Sequence, residues 1–251
     1  VKCATKLRHI PLPASGQLVY LSRSARVSRT SGAPGVCGLD EGGRGRALPM
    51  SEPLGTVADM TIEILPATGD RFDDAEVALD SGDGPECQCQ WWILPNAPWK
   101  EASVDDRTEM FRTELAGDRP PGLIAYVDGE PAGWVRVGPR TTQPRLVRTR
   151  DVTASTEEPL DADDVWAVSC FVVRTEHRRK GLTARLLEAA VAVAREGGAR
   201  VIEGYPLDPA AAKKSSNQLF RGVLPVFEAA GFTVVDRPKP DRALVALTLG
   251  D

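Results

Sequence analysis

A surplus of positive charge, long apolar runs and histidine are what this sequence lacks, and each lack closes off a class of function. Thirty-one basic residues stand against 35 acidic ones, so there is no electrostatic footprint of a dedicated nucleic-acid binder. The longer apolar stretches, such as that around Leu186 to Ala194, are broken by charges like Glu188 and Arg195. Nothing reaches the roughly 20 apolar residues that a bilayer span needs, and no membrane role is expected. The two histidines, His9 and His177, are far apart, and of the five cysteines (Cys3, Cys37, Cys87, Cys89, Cys170) only Cys87 and Cys89 are neighbours. A C-x-C pair with such histidines completes no tetrahedral zinc spacing, so no metal is expected. The cysteines are odd in number and follow no apolar segment with a small-residue cleavage site, which points to a reducing cytoplasm.

What is there suffices for a globular protein: 251 residues, 42% of them hydrophobic, can enclose one large core or two small ones. Residues 1–59 are rich in Gly, Ser, Arg and Pro and show no sustained period. They read as a disordered leader or as upstream sequence from an early start, with a basic arm for an acidic partner as the alternative. Regular patterning begins at Met60, and the expected domain is 60–251. An alternating strand, M-T-I-E-I-L-P, precedes the helix-like D-D-A-E-V-A-L, and C-Q-C-Q-W-W (87–92) reads as a strand with alternate residues in the core. Ser103 and Asp106 suit a capping box at the head of a helix. Asp128-Gly129 between G-L-I-A-Y-V and A-G-W-V-R-V is a hairpin signal. Residues 139–164 read as a long polar surface connection, and V-W-A-V-S-C-F-V-V (165–173) as a buried strand. Leu182, Leu186, Leu187, Ala190, Val191 and Ala194 recur at helical spacing up to Gly197-Gly198. A strand at 200–205, a short helix ending in A-A-G-F and a closing pair of strands complete an α/β domain with a mixed sheet.

The chemistry gathers between strand and helix, in V-R-T-E-H-R-R-K-G-L-T-A-R-L-L (Val173 to Leu187). Arg178, Arg179 and Lys180 precede Gly181, where the chain can turn tightly and approach a ligand. The amides of 179–184 then become free donors at a helix N-terminus, whose dipole favours an anion. Cations there oppose the dipole, so a pyrophosphate is the natural guest; a solvated basic loop is the alternative.

This segment resembles the acetyl-CoA signature of the GNAT family of N-acetyltransferases, V-x-P-x-x-R-x-x-G-x-G/A. Val173, Arg178 and Gly181 fall on its positions, with Thr175 where Pro is usual and Thr183 where Gly or Ala is usual. The resemblance spans roughly 60–249 and implies an acyl-CoA N-acyltransferase fold with a splayed central sheet. It implies acetyl-CoA as co-substrate, with its arm along main-chain groups near Phe171 and Val173. Arg178, Arg179, Lys180, Gly181, Leu182 and Thr183 would hold its diphosphate, and Asn217 and Phe220 would lie on the arm's other side. Phe220 as plain core is the alternative.

The implied reaction is acetyl transfer to a primary amine, small-molecule or peptide, by direct attack, in a monomer or homodimer. Two usual family residues are missing: Ala167 stands where some members carry a glutamate base, and Phe227 where many carry a tyrosine acid. Glu203 and Tyr205, on one face of the next strand with Asp208 just beyond, are candidate catalytic replacements, and relay of the proton by water is equally open. Cys170 lacks an activating partner in sequence and reads as a small apolar residue. Trp91, Trp92 and Trp99, with Asp105, Asp106 and Glu109, are candidates for receiving the amine. A non-catalytic acyl-CoA-binding module is the competing reading.

Overall fold

The computed structural model describes residues 20–22, 60–211 and 215–250. The reading of 1–59 as a leader lies outside the described residues, apart from Tyr20–Ser22. That short strand, β1, pairs antiparallel with β2 (Ile62–Pro66). Four helices follow: α1 (Phe72–Leu79), α2 (Gly84–Cys87), α3 (Asn96–Glu101) and α4 (Val104–Leu115). Helix α1 turns Phe72, Ala75, Ala78 and Leu79 inward at helical spacing. Helix α4 starts on the expected capping box, with the Ser103 amide donating to Asp106 Oδ2 at 2.8 Å and the Asp106 amide to Ser103 Oγ at 3.1 Å. These bonds satisfy two donors that a helix start leaves open.

β3 (Gly122–Val127) and β4 (Glu130–Pro139) form the expected hairpin. Asp128 and Gly129 take φ of 52° and 87°, the left-handed pair that matches strand twist in a two-residue turn. After α5 (Arg150–Thr153) come β5 (Val165–Val173), α6 (Leu182–Glu196), β6 (Val201–Gly204), α7 (Leu224–Ala229), β7 (Thr233–Lys239) and β8 (Arg242–Thr248). The strand order is β1-β2-β3-β4-β5-β6-β8-β7, and β5 with β6 is the parallel pair. A parallel pair needs a crossover, and α6 supplies it. One face of the sheet packs against α6 through Leu182, Leu186 and Leu187, each contributing about 1.5–3 kcal/mol on burial. The other face packs α1 and α4 through Phe72, Leu79, Phe111 and Leu115. No helix of the described residues is long and apolar enough to cross a membrane.

Two sequence expectations are corrected. C-Q-C-Q-W-W is not a strand: Cys87 ends α2, Gln88 and Cys89 adopt φ of 47° and 52°, and Gln90–Trp92 is a 3-10 turn. The segment 139–164 is not a surface connection. Arg140, Gln143 and Leu146 are fully enclosed within it. The Arg145 guanidinium donates to Leu94 O and Asn96 Oδ1, both at 2.8 Å, and stacks 3.8 Å over Trp91. These polar residues are buried because each finds partners.

Candidate functional site

The site begins with one extra residue in β5. Val137 pairs with Val168 and Arg136 with Cys170, so Ser169 is left over as a bulge. A bulge bends its strand and strengthens local twist. Pairing between β5 and β6 ends at this point, with Val168 opposite Gly204. Among the described residues the β6 side of β5 from Cys170 to Val173 therefore has no strand partner, and the sheet opens. The bulge is held in place from two directions. Trp92 Nε1 donates to Ser169 O at 2.9 Å, and Gln143 accepts from Ser169 Oγ while its Nε2 donates to Ala167 O at 3.3 Å.

The opening leads into a cavity of about 1160 Å³. Its strand wall is Cys170–Val173, and at the Val173 end the chain enters the basic turn. Arg179 and Gly181 take φ of 62° and 76° there. A Cβ on Gly181 would meet nothing within 4 Å, so the space over the α6 N-terminus is clear. Leu182, Thr183 and Ala184 of the first turn line it, with the amides a helix start leaves unpaired. Arg178 is tied down, its Nε donating to Val173 O at 3.1 Å and its Nη2 to Ser81 Oγ at 2.7 Å. Across the cavity Asn217 Nδ2 donates to Asp83 Oδ1 at 3.0 Å.

Of the residues singled out for the cofactor, Phe171, Val173, Arg178, Arg179, Gly181, Leu182, Thr183, Asn217 and Phe220 all line this cavity, and Lys180 does not. Trp91, Trp92 and Trp99 line it too. Asp105, Asp106 and Glu109 do not: Asp106 caps α4 and Glu109 pairs with Arg112 at 3.5 Å.

Glu203 and Tyr205 are brought together but not to the cavity. Glu203 Oε2 accepts from Arg140 Nη1 at 2.9 Å and from the Tyr205 hydroxyl at 2.8 Å, and Oε1 accepts from Thr156 Oγ1. Glu203, Arg140 and Tyr205 are all buried. Burial, followed by the Glu203 charge, raises the Tyr205 hydroxyl well above its ordinary value. The pair forms a closed ionic network under the sheet, because Glu203 turns toward the buried Arg140 rather than the gap. Asp208 is likewise engaged, with Arg237 at 2.8 Å.

A thiol cluster that sequence reading missed stands at the cavity floor. Cys89 Sγ accepts from Trp134 Nε1 at 3.1 Å and Arg136 Nε at 3.2 Å, and Arg136 makes a two-pronged pair with Glu114, both bonds 2.7 Å. Burial alone would raise the Cys89 thiol. The Cys170 hydrogen bond and the Arg136 charge outweigh it, so Cys89 is held below the usual thiol range and Cys170 keeps the proton. Cys87, pushed up to about 11 chiefly by burial and then by Cys89, stays a thiol. Cys170 is buried among apolar residues, and Cys89 raises its thiol rather than activating it.

Residues 87–212 match the profile described as the Acetyltransferase (GNAT) family. The chain belongs to the GNAT family. Transfer from acetyl-CoA is the general reaction of that family. Gly181, the glycine of the signature quoted above, is the N-cap of α6. The chain matches no curated protein. Among solved structures it is similar to the GNAT domain of PAT from S. lividans (22% identity, 75% of this chain and 90% of that one, TM-score 0.45). It is also similar to an N-acetyltransferase from Staphylococcus aureus Mu50 (15%, 75% and 99%, 0.44). A third is the PaiA N-acetyltransferase of Thermoplasma acidophilum, in complex with coenzyme A (14%, 74% and 98%, 0.44).

Proposed function

We propose that this GNAT protein is an N-acetyltransferase that moves the acetyl group of acetyl-CoA to a primary amine by direct attack. The observation that carries the reading is the unpaired edge of β5 from Cys170 to Val173, running into the open N-terminus of α6 within one cavity. An extended pantetheine arm fits the edge as a missing strand would, and the diphosphate fits the helix amides. The thioester carbonyl would take a main-chain N–H of this edge, and a donor fixed there stabilises the oxyanion as it forms. The amine nitrogen bonds to the carbonyl carbon, the carbon–sulfur bond breaks, and the CoA thiolate departs and takes up a proton. The amine proton passes to water in the cavity, since Glu203 is committed to Arg140.

Phe227, fully buried at the family's usual acid position, favours a second reading: a GNAT-like module that binds acyl-CoA without turning it over. A thermal-shift titration with acetyl-CoA tests the cofactor, because a ligand of the folded state raises its melting temperature. An amine panel with thiol release as readout then decides between the readings. Binding with no release for any amine supports the module, and no binding overturns both.

A further inference from the structure

Arg221 ends the 3-10 turn Ser216–Arg221 and lines the cavity. Its guanidinium lies 4.8 Å over the Trp92 ring and 5.6 Å from the Phe220 ring. Among the described residues it makes no hydrogen bond and no ion pair. Arg107, Arg178 and Arg242, which line the same cavity, differ. Arg107 donates to Glu86 O and Ala102 O, and Arg178 to Val173 O and Ser81 Oγ. Arg242 meets Asp151 at 2.7 Å, and the same Asp151 also takes Lys239 at 3.1 Å. Asp151, whose charge bears on Arg221, is thus shared already by two cations. Burial, and after it the Arg242 charge, push Arg221 down to about 10, which still leaves a cation at neutral pH. A half-buried guanidinium with aromatic faces and no counter-ion is a site short of an anion.

Which anion follows from position. Trp92 bonds to Ser169 O, so Arg221 over Trp92 stands at the closed apex of the gap. The α6 N-terminus opens at the other end, beyond Val173. Four residues of strand separate the two, roughly 13 Å at about 3.3 Å per residue. Diphosphate held at Gly181 is therefore not the group at Arg221. Trp92, Phe220 and Cys170 belong to the face packed by α1 and α4, opposite to the α6 face, and the acceptor must approach from that side if the cofactor enters beside α6.

We propose that Arg221 receives an oxyanion of the acceptor, so that the acceptor class is an amine that also carries a carboxylate or phosphonate. This rests on the N-acetyltransferase reading of the same cavity. A planar guanidinium offers two parallel donors to either oxyanion, and stacking on Trp92 fixes its plane. The amine then points back along the gap toward the thioester.

The test is a panel of free amino acids, their methyl esters, ω-amino carboxylates and aminoalkyl phosphonates, assayed with the full chain and with Arg221→Gln and Arg221→Lys. The full chain is expected to prefer acids to esters, and Arg221→Gln to raise KM for the acids by on the order of 10²-fold, as for a lost charged hydrogen bond. KM for esters and the acetyl-CoA affinity by calorimetry stay unchanged, and Arg221→Lys restores part of the loss. Carboxylate and phosphonate arms show which oxyanion is read. Equal use of esters and acids, or a loss of acetyl-CoA affinity in Arg221→Gln, overturns the proposal. If acetyl-CoA binds but no amine turns over, calorimetry of N-acetyl amino acids on the CoA-saturated protein decides: binding lost in Arg221→Gln supports the site, and no binding to the full chain overturns it. If acetyl-CoA itself fails to bind, the N-acetyltransferase reading fails, and the same titration on the free protein judges Arg221 alone.

Discussion

Arg140 and Glu203 meet at 2.9 Å as an ion pair that neither side chain shares with solvent. Removing one partner of such a pair leaves a buried charge without compensation, at a cost of about 3–5 kcal/mol. Glu203→Gln is therefore expected to lower unfolding stability by about that much while leaving turnover per folded molecule within about threefold. Urea unfolding and thiol-release rates measure the two separately. A general base would behave oppositely, with turnover reduced about 10²–10⁴-fold and little change in stability.

Glycine at 181 has two separable duties. Gly181→Ala adds only the conformational cost of φ 76°, about 1–2 kcal/mol, because its Cβ meets nothing within 4 Å. Gly181→Glu adds a carboxylate in the anion path and is expected to abolish acetyl-CoA binding. Calorimetry on both variants, with melting temperatures alongside, separates the two; unchanged affinity in Gly181→Glu would remove the diphosphate from this loop.

The Arg136–Glu114 pair gives a pH dependence with a definite sign. Burial would raise the Glu114 carboxyl, but the Arg136 charge and the N–H donors of Arg136 and Gln90 outweigh it and hold it below 4.5. A depressed carboxyl contributes stability that is complete above the ordinary value and is lost as pH falls through the folded value. Glu114→Gln is thus expected to be less stable than the natural chain at pH 7, and the difference to shrink below pH 4.5. Denaturant midpoints measured across that range check it; a constant difference would contradict the assignment.

Much of this was legible in the sequence. The spacing from Leu182 to Ala194, the Asp128-Gly129 turn and the run from Val165 to Val173 each rest on local rules, and each element formed where expected. The missed parts depend on partners far along the chain. Gln88 and Cys89 adopt a left-handed backbone that nothing in C-Q-C-Q-W-W requires, and Arg140, Gln143 and Arg145 look like surface residues until Glu203, Ser169 and Leu94 come to meet them. The charge of Glu203 suggested a base, yet only its neighbour Arg140 decides what that carboxylate does. Arg221 carries no motif at all. Its significance lies in its making no hydrogen bond or ion pair among the described residues.

Cys89 offers a chemical check on the cavity floor. With Trp134 and Arg136 donating to its sulfur, it is the one of the three described cysteines held below the usual thiol range. Iodoacetamide at pH 7, read by peptide mass spectrometry, is expected to modify Cys89 ahead of Cys87, which at a value of about 11 is a thiolate in only about one molecule in 10⁴. Arg136→Met should slow the Cys89 reaction, and faster labelling of Cys87 would reverse the assignment.

The bulge at Ser169 also divides a single strand into two kinetic halves. Amides from Trp166 to Val168 lie between two strands and exchange with solvent only when the sheet unfolds. Just past the bulge, those amides of Cys170 to Val173 that face the gap look onto water. Hydrogen exchange would thus show a sharp step within one continuous strand, and a ligand extended along the gap would erase it.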